Sequence, residues 1–418
     1  MADTKHDIWN DDDGEGELKA RSARKRRRTG LFLLVFGVVL AVVLVAAYRG
    51  GTGFDALRRL WSYQDGGTTE TGAYAYEPSS QNRFAVLGEH LVVLSNTKLS
   101  VLAPDGTEVW SQAVHMAAPA LVQAGDRAAA YDVGGTELYV VNREGELFHL
   151  SADEKEPLIA ANLNEDGWLA VTAEKHAYKG CVSVYDPEME PVFAFKSSQR
   201  FVTDACVSPG GKFLAAVTLG QEAGTFVSNV VLYDLSETEP AADYDVTDGL
   251  VAAITARDGE IWTVSDTALT LAGLDGQVEA AYAYPGEFLR GYDLGSGEFT
   301  PLLLGRYRSG SVGRLVTVGK DGTELAFLDV TAEVLDLSAA GRYLAVLYAD
   351  ELVIYNPQLQ VYATQKDTGA ATGVLMRADG SALLLSPPAC FCRKRQKFQA
   401  CSQNVYRAKG RKSWGYLL

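Results

Sequence analysis

The sequence predicts an all-β chain: a single β-propeller of eight four-stranded blades, or alternatively seven, preceded by one transmembrane helix and a disordered N-terminal tail. Three observations carry this. From Arg83 to Ser386, short runs rich in Val, Leu, Ala and Tyr are broken by Gly and Asp turns, with almost no helical periodicity. One kind of turn, joining a first strand to a second, occurs eight times. It is clearest in "SPGGKFLAAVT" (208–218), "SAAGRYLAVLY" (338–348), "RADGSALLLS" (377–386), "NEDGWLAVTA" (164–173) and "ARDGEIWTVS" (256–265), and looser in "LGEHLVVLS" (87–95), "QAGDRAAAYDV" (123–133) and "LGSGEFTPLLLG" (294–305). A second kind, joining a third strand to a fourth, aligns Ala103, Asn142, Asp186, Asp234, Gly273, Gly319 and Asn356 at spacings of 39, 44, 48, 39, 46 and 37 residues. Such a spacing suits a four-stranded blade, which takes roughly 40–45 residues.

The turns explain themselves chemically. Asp105-Gly106, Asp275-Gly276, Asp321-Gly322 and the glycine of Glu144-Gly145 supply the positive φ that tight hairpins need, and the aspartates favour turns through their own backbone. A single apolar sheet cannot hide both faces. Stacking blades in a closed ring hides them and removes free edges.

Upstream of the repeats, residues 31–48, "LFLLVFGVVLAVVLVAAY", form an uncharged run of bilayer-spanning length. Arg24, Lys25, Arg26, Arg27 and Arg28 precede it, with Arg21 nearby, against Arg49, Arg58 and Arg59 after it. The positive-inside bias places the N-terminus in the cytoplasm and the C-terminal domain outside, at a cell membrane. A cleaved signal peptide is the competing reading, but the run exceeds a signal core and about thirty residues precede it. Residues 1–30 read as a disordered cytoplasmic tail, acidic then basic, and 49–82 as a juxtamembrane segment and linker that includes a short amphipathic stretch from Phe54 to Trp61.

Charge narrows the partners. The chain carries 38 Lys+Arg and 53 Asp+Glu, and residues 31–386 hold 22 of these basic and 46 of these acidic residues, a net of -24. Such a body repels phosphates, so no nucleic-acid partner is expected. The five histidines, His6, His90, His115, His149 and His176, recur at no fixed place in the repeat, and none has a second histidine at ligand spacing. No G-x-S-x-G elbow, P-loop or H-E-x-x-H is present, and no metal or cofactor site is expected. A glycan hydrolase or lyase remains an alternative, because carboxylates converging on a propeller channel cannot be recognised from spacing. The leading expectation is a non-catalytic module presenting a propeller rim to a protein or envelope ligand; a transmembrane sensor signalling through residues 1–30 is a further alternative.

Strand pairs ending Tyr185-Asp186, Tyr233-Asp234 and Tyr355-Asn356 resemble the Trp-Asp endings of WD40 blades, and "DGTEVW" (105–110) resembles the turn-plus-tryptophan of quinoprotein blades. The whole pattern, an Arg-rich tail, one anchor and a degenerate propeller, resembles an uncharacterised family of single-pass propeller proteins of Gram-positive bacteria. That resemblance spans residues 20–386 and implies no catalytic residues.

Cys181 and Cys206 fall in or beside adjacent strands of the third and fourth blades and read as small buried residues; whether they pair is a question of distance. Residues 387–418 carry eight Lys+Arg, no acid, and Cys390, Cys392 and Cys401. Three thiols fall short of a structural zinc site. A basic arm for anionic surfaces is a second reading. The repeat favours a third, an unordered tail foreign to the domain, which leaves two strands of the eighth blade missing or partly supplied from before Asn82.

Overall fold

The computed structural model describes residues 74–386 except 247, 248, 369 and 370, together with the backbone of 67–68, 389–393 and 397–398, and Val39. Among the described residues the strands form eight four-stranded sheets and one short pairing of Gly67–Thr68 with Lys397–Phe398.

Seven sheets are each built from four consecutive antiparallel strands, so they are numbered here as blades I to VII. Blade I comprises Arg83–Leu87, His90–Leu94, Lys98–Leu102 and Glu108–Ala113, and blade II comprises Pro119–Ala124, Arg127–Asp132, Glu137–Val141 and Glu146–Ser151. Blade III runs from Leu158–Leu163 through Leu169–Ala173 and Gly180–Tyr185 to Pro191–Ser197. Blade IV, with the longest strands, holds Phe201–Val207, Phe213–Glu222, Thr225–Asp234 and Pro240–Val246. Blade V is Val251–Arg257, Glu260–Ser265, Ala268–Gly273 and Val278–Ala283, and blade VI is Phe288–Tyr292, Phe299–Gly305, Gly313–Gly319 and Glu324–Val330. Blade VII is Val334–Ala340, Tyr343–Tyr348, Glu351–Tyr355 and Val361–Lys366. All eight first-to-second turns and all seven third-to-fourth turns named from the sequence fall between these strands or those of the last sheet.

The eighth sheet, blade VIII, is composite: Gly373–Met376 pairs with Ala382–Ser386, which pairs with Ala389–Arg393, which pairs with Tyr74–Ala75. The propeller thus extends past both expected boundaries of 83–386. A strand does follow Ser386, and a strand from before Asn82 completes the sheet. Neither was legible as a strand, because Tyr74–Ala75 is two residues long and "ACFCR" shows no apolar alternation.

Second and third strands are buried almost throughout, as in "LAVLY" of blade VII, whereas fourth strands alternate exposed and half-buried positions. First strands of successive blades pack on one another, as with Leu158–Leu163 on Phe201–Val207 and the latter on Val251–Arg257, so they line the axis and the fourth strands lie outside. Apolar clusters fill the spaces between blades. Leu87, Leu94 and Val101 meet Ala128, Ala130 and Val141 between blades I and II. At the closing seam, Tyr74, Leu383 and Leu385 of blade VIII meet Leu91, Val93 and Leu102 of blade I. Each sheet hides both faces against its neighbours, and this burial is the main stabilising contribution.

The run 31–48 apart from Val39, the Arg24–Arg28 cluster, residues 49–66 and the side chains of Cys390, Cys392 and Cys401 lie outside the described residues. No helix among the described residues is long and apolar enough to cross a membrane.

Candidate functional site

The channel around the axis is shaped by a repeated irregularity. In blades III to VII the first strand shifts register against the second, with Ile159, Thr203, Ala252, Arg290 and Leu335 as the extra residues. Blades I and II pair without such a shift. A bulge re-aims the residues that follow it. Here these are Ala160, Asp204, Ala253, Gly291 and Asp336, and two positions on, Asn162, Cys206, Thr255, Asp293 and Ser338.

Asp204 and Asp336 thereby sit in first strands and Asp293 directly after one, and each bonds to a neighbouring blade. Asn162 Nδ2 of blade III donates to Asp204 Oδ1 of blade IV at 2.8 Å and to the Ala205 carbonyl at 3.0 Å. The Ala339 amide of blade VII donates to Asp293 Oδ2 at 2.7 Å, while the Gly295 amide donates to Oδ1 at 2.6 Å. The Val374 amide of blade VIII donates to Asp336 Oδ2 at 2.8 Å, and the Met376 amide donates to Ser338 Oγ at 3.0 Å. These partners stand 38 to 46 residues apart, one repeat, so each bond joins neighbouring blades.

The same three groups keep some solvent access, yet protein surrounds them densely. Burial pushes the Asp204 carboxyl up to about 7, against the opposing hydrogen bonds from Ala205 and Asn162. Burial likewise raises Asp336 to about 6, with Asp293 adding to the shift, and raises Asp293 despite the amides of Ala339 and Gly295. On the adjoining turn, Arg257 stacks its guanidinium 3.9 Å from the Trp262 ring and donates to the Ser296 carbonyl and, at 2.8 Å, to Thr300 Oγ1. Burial lowers Arg257 to about 10, so it stays charged at neutral pH.

The turn residues named from the sequence lie at the ends of the third strands, on the rim opposite the blade-to-blade connections. Asp105 Oδ1 accepts from the Thr107 amide at 2.9 Å and hydroxyl at 2.6 Å; Asp321 does the same with Thr323 at 3.1 and 2.7 Å, and Asp275 accepts from the Gln277 amide at 3.0 Å. The threonine hydroxyl bonds hold Asp105 and Asp321 below the usual carboxylate range. Gly106, Gly145, Gly276 and Gly322 all have positive φ. Three of them also press on the preceding blade: a Cβ at Gly145 would stand 2.9 Å from Trp110 Cδ1, one at Gly276 2.8 Å from Ala242 Cβ, and one at Gly322 2.5 Å from Ala280 Cβ. Trp110, which suggested a quinoprotein-type turn, is therefore the surface on which the next blade's turn rests. These residues build blade contacts and do not come together as one site.

The remaining candidates are scattered. Cys181 and Cys206 are buried free thiols, both raised by burial, Cys206 strongly. His149 Nε2 pairs with Glu137 at 2.5 Å and stacks on Tyr139, with ring centroids 4.3 Å apart. Among the described residues no group of three His, Cys, Asp or Glu side chains is placed to hold a metal ion. A cavity of about 310 Å³ lies away from the channel, at the seam of blades VIII and I, lined by Tyr76, Glu77, Ser95, Lys98, Ser100 and Glu108.

Residues 65–268 match the model of a family of unknown function, DUF5711. No curated protein matches. Among solved structures, the C-terminal WD40 domain of Sif2 superposes with a TM-score of 0.53 at 13% identity, covering 78% of this chain and 98% of that one. The computationally designed Ika8 protein gives 0.55 at 11% identity, covering 78% and 98%. The dihydro-heme d1 dehydrogenase NirN gives 0.53 at 11%, covering 79% of this chain and 77% of its own. At these identities the likeness is one of fold.

Proposed function

We propose that this chain is a non-catalytic binding and scaffold module, a propeller held on the outer side of a cell membrane by residues 31–48, with Arg24–Arg28 inside and one rim presented to a protein or envelope ligand. The observation that carries the reading is the commitment of the channel carboxylates. Asp204, Asp293 and Asp336 each accept hydrogen bonds from a neighbouring blade. A catalytic pair must instead offer its oxygens to substrate. Propellers are used widely to present loops to partners, and the fold likeness to a WD40 domain agrees with such a use. The membrane part rests on the uncharged run and its flanking charges.

One observation favours a second reading, a glycan hydrolase or lyase. Carboxyls near 6 and 7 have the protonation that a general acid at neutral pH requires. The two readings separate in one experiment. The wild-type chain and an Asp204→Asn/Asp336→Asn variant are displayed on cells, proximity-labelled, and incubated with isolated envelope glycan. Equal partner labelling with no released sugar supports the module; sugar release lost in the variant overturns it. Protease accessibility on intact cells tests the orientation, and a protected propeller with an exposed N-terminus would reverse it.

A further inference from the structure

We infer that the module's partner is an acidic polypeptide segment carrying apolar side chains, docked on the rim of blades III and IV; this rests on the binding-module reading and names its surface. In each blade the second-to-third turn and the connection to the next blade lie at the same end. On that end, blades III and IV bring together Tyr178, Lys179, Lys196, Arg200, Phe201 and Phe226. The three aromatics are 44, 55 and 61% exposed, far from the burial that their areas favour. Lys179 Nζ sits 4.6 Å from the Phe201 ring centroid and Lys196 Nζ 5.8 Å from that of Tyr178. Neither lysine has an ion-pair partner among the described residues.

The patch is held rigid. The second and third strands of blade IV run on to Glu222 and Thr225, past the last pairs made by the first strand, Phe201 with Leu219, and by the fourth, Ser228 with Val246. Arg200 fixes this overhang: Nη1 pairs with Glu222 at 2.9 Å and Nη2 donates to the Val227 carbonyl at 2.6 Å. Gly220 admits the guanidinium, since a Cβ there would lie 2.7 Å from its Cζ. Register places Phe226 opposite Gln221, two residues from Leu219, so Phe226 and Phe201 share one face. Preorganised aromatics beside an arginine are the composition of protein-interface anchors, and the two lysines add charge that steers the partner.

Charge chooses the partner's sign. In a body of net -24, two ammonium groups unpaired among the described residues and perched on aromatic rings form a local positive spot that attracts carboxylates and rejects basic chains. Chemistry chooses its class. Sugar hydroxyls need fixed donors and acceptors between the rings, but here the polar groups of Arg200, Glu222 and Ser197 bond one another or the backbone. The exposed rings and the two ammoniums, flanked by the exposed Ser198, Gln199 and Gln221, suit Leu or Phe alternating with Asp or Glu.

The test uses the full-length chain in detergent against synthetic 15-residue peptides of four compositions, acidic-apolar, acidic only, apolar neutral and basic-apolar, with phosphatidylglycerol vesicles and an acidic polysaccharide alongside. Binding is expected for the acidic-apolar set, weakened about tenfold by Phe226→Ala and by Lys179→Gln/Lys196→Gln, with a shallower salt dependence in the double variant and no change in Lys212→Gln on the opposite rim. All of these side chains are at the surface, and unchanged melting curves verify folding. Peptide binding that ignores these variants overturns the rim assignment and leaves the module reading standing. Binding to vesicles or polysaccharide alone overturns the polypeptide partner. Glycan turnover without any binding partner overturns both.

Discussion

Asp204 shows how much one residue can reveal about the channel. Its carboxyl, raised to about 7 by burial, binds a proton in the folded chain that it releases near 4 when unfolded. The folded state therefore holds more protons between about pH 4 and 7, and stability falls as pH rises across that window. Asp336, near 6, acts in the same sense over a narrower range. Asp105, Asp234 and Asp321 are lowered by hydrogen bonds from Thr107, Ser236 and Thr323, and their contribution is present above about 4 and lost only below it. The two effects occupy different windows. Asp204→Asn is expected to keep the Asn162 contact in part and to flatten the decline of Tm between pH 4.5 and 7.5; an unchanged slope would place the titration elsewhere. Gly322 offers a second residue-scale test. With φ +72° and only 2.5 Å from a would-be Cβ to Ala280 Cβ, Gly322→Ala should cost about 2–3 kcal/mol, measured by denaturant unfolding, through backbone strain and the clash with blade V.

At the scale of the element, the first strands do two jobs: they pair within a blade and stitch one blade to the next. Asp336 illustrates the second. Removing its side chain leaves the Val374 amide without its acceptor in a strand whose Val374 is 1% exposed, and an unsatisfied buried amide costs roughly 1–3 kcal/mol. Asp336→Ala should accordingly speed hydrogen exchange in Gly373–Met376 well before it lowers protection in blades II to IV, which exchange mass spectrometry resolves. The strands and turns of this fold were legible because each Gly and Asp turn is local in sequence, and "SAAGRYLAVLY" announces two strands and the turn between them. The channel was not. Asn162 and Asp204 meet across 42 residues, and the bulge that aims Asp204 inward inserts Thr203, a residue with no sequence mark of its own. Phe226 was invisible for a related reason: only register shows that it lies on the two-stranded overhang of blade IV, beyond the pairing of the first and fourth strands.

For the whole molecule, the decisive matter is how the ring closes. Blade VIII takes its first two strands from 373–386, its third from 389–393, and its fourth from Tyr74–Ala75, so segments from the two sides of the repeat array meet in one sheet. Tyr74 is 2% exposed, packs into the cluster with Leu91, Leu383 and Leu385, and donates its hydroxyl to the Glu89 carbonyl at 2.6 Å. Tyr76 adds a hydroxyl bond to the Ser386 carbonyl at 2.8 Å. This closure acts like a clasp, because opening it exposes apolar faces of blades VIII and I together and creates two sheet edges. The basic, cysteine-bearing segment after Ser386 read as foreign to the domain, and on that reading its removal is harmless. The pairing of Ala389–Arg393 predicts the reverse. Truncation after Ser386 deletes the strand between Ala382–Ser386 and Tyr74–Ala75, and should lower both Tm and protease resistance. Tyr74→Ala, losing a buried ring and its hydrogen bond, should cost about 3–5 kcal/mol by itself. The two changes act on one seam, so their combination should cost clearly less than the sum of the two. Additive losses in a double-variant cycle would show that the ring closes without this clasp.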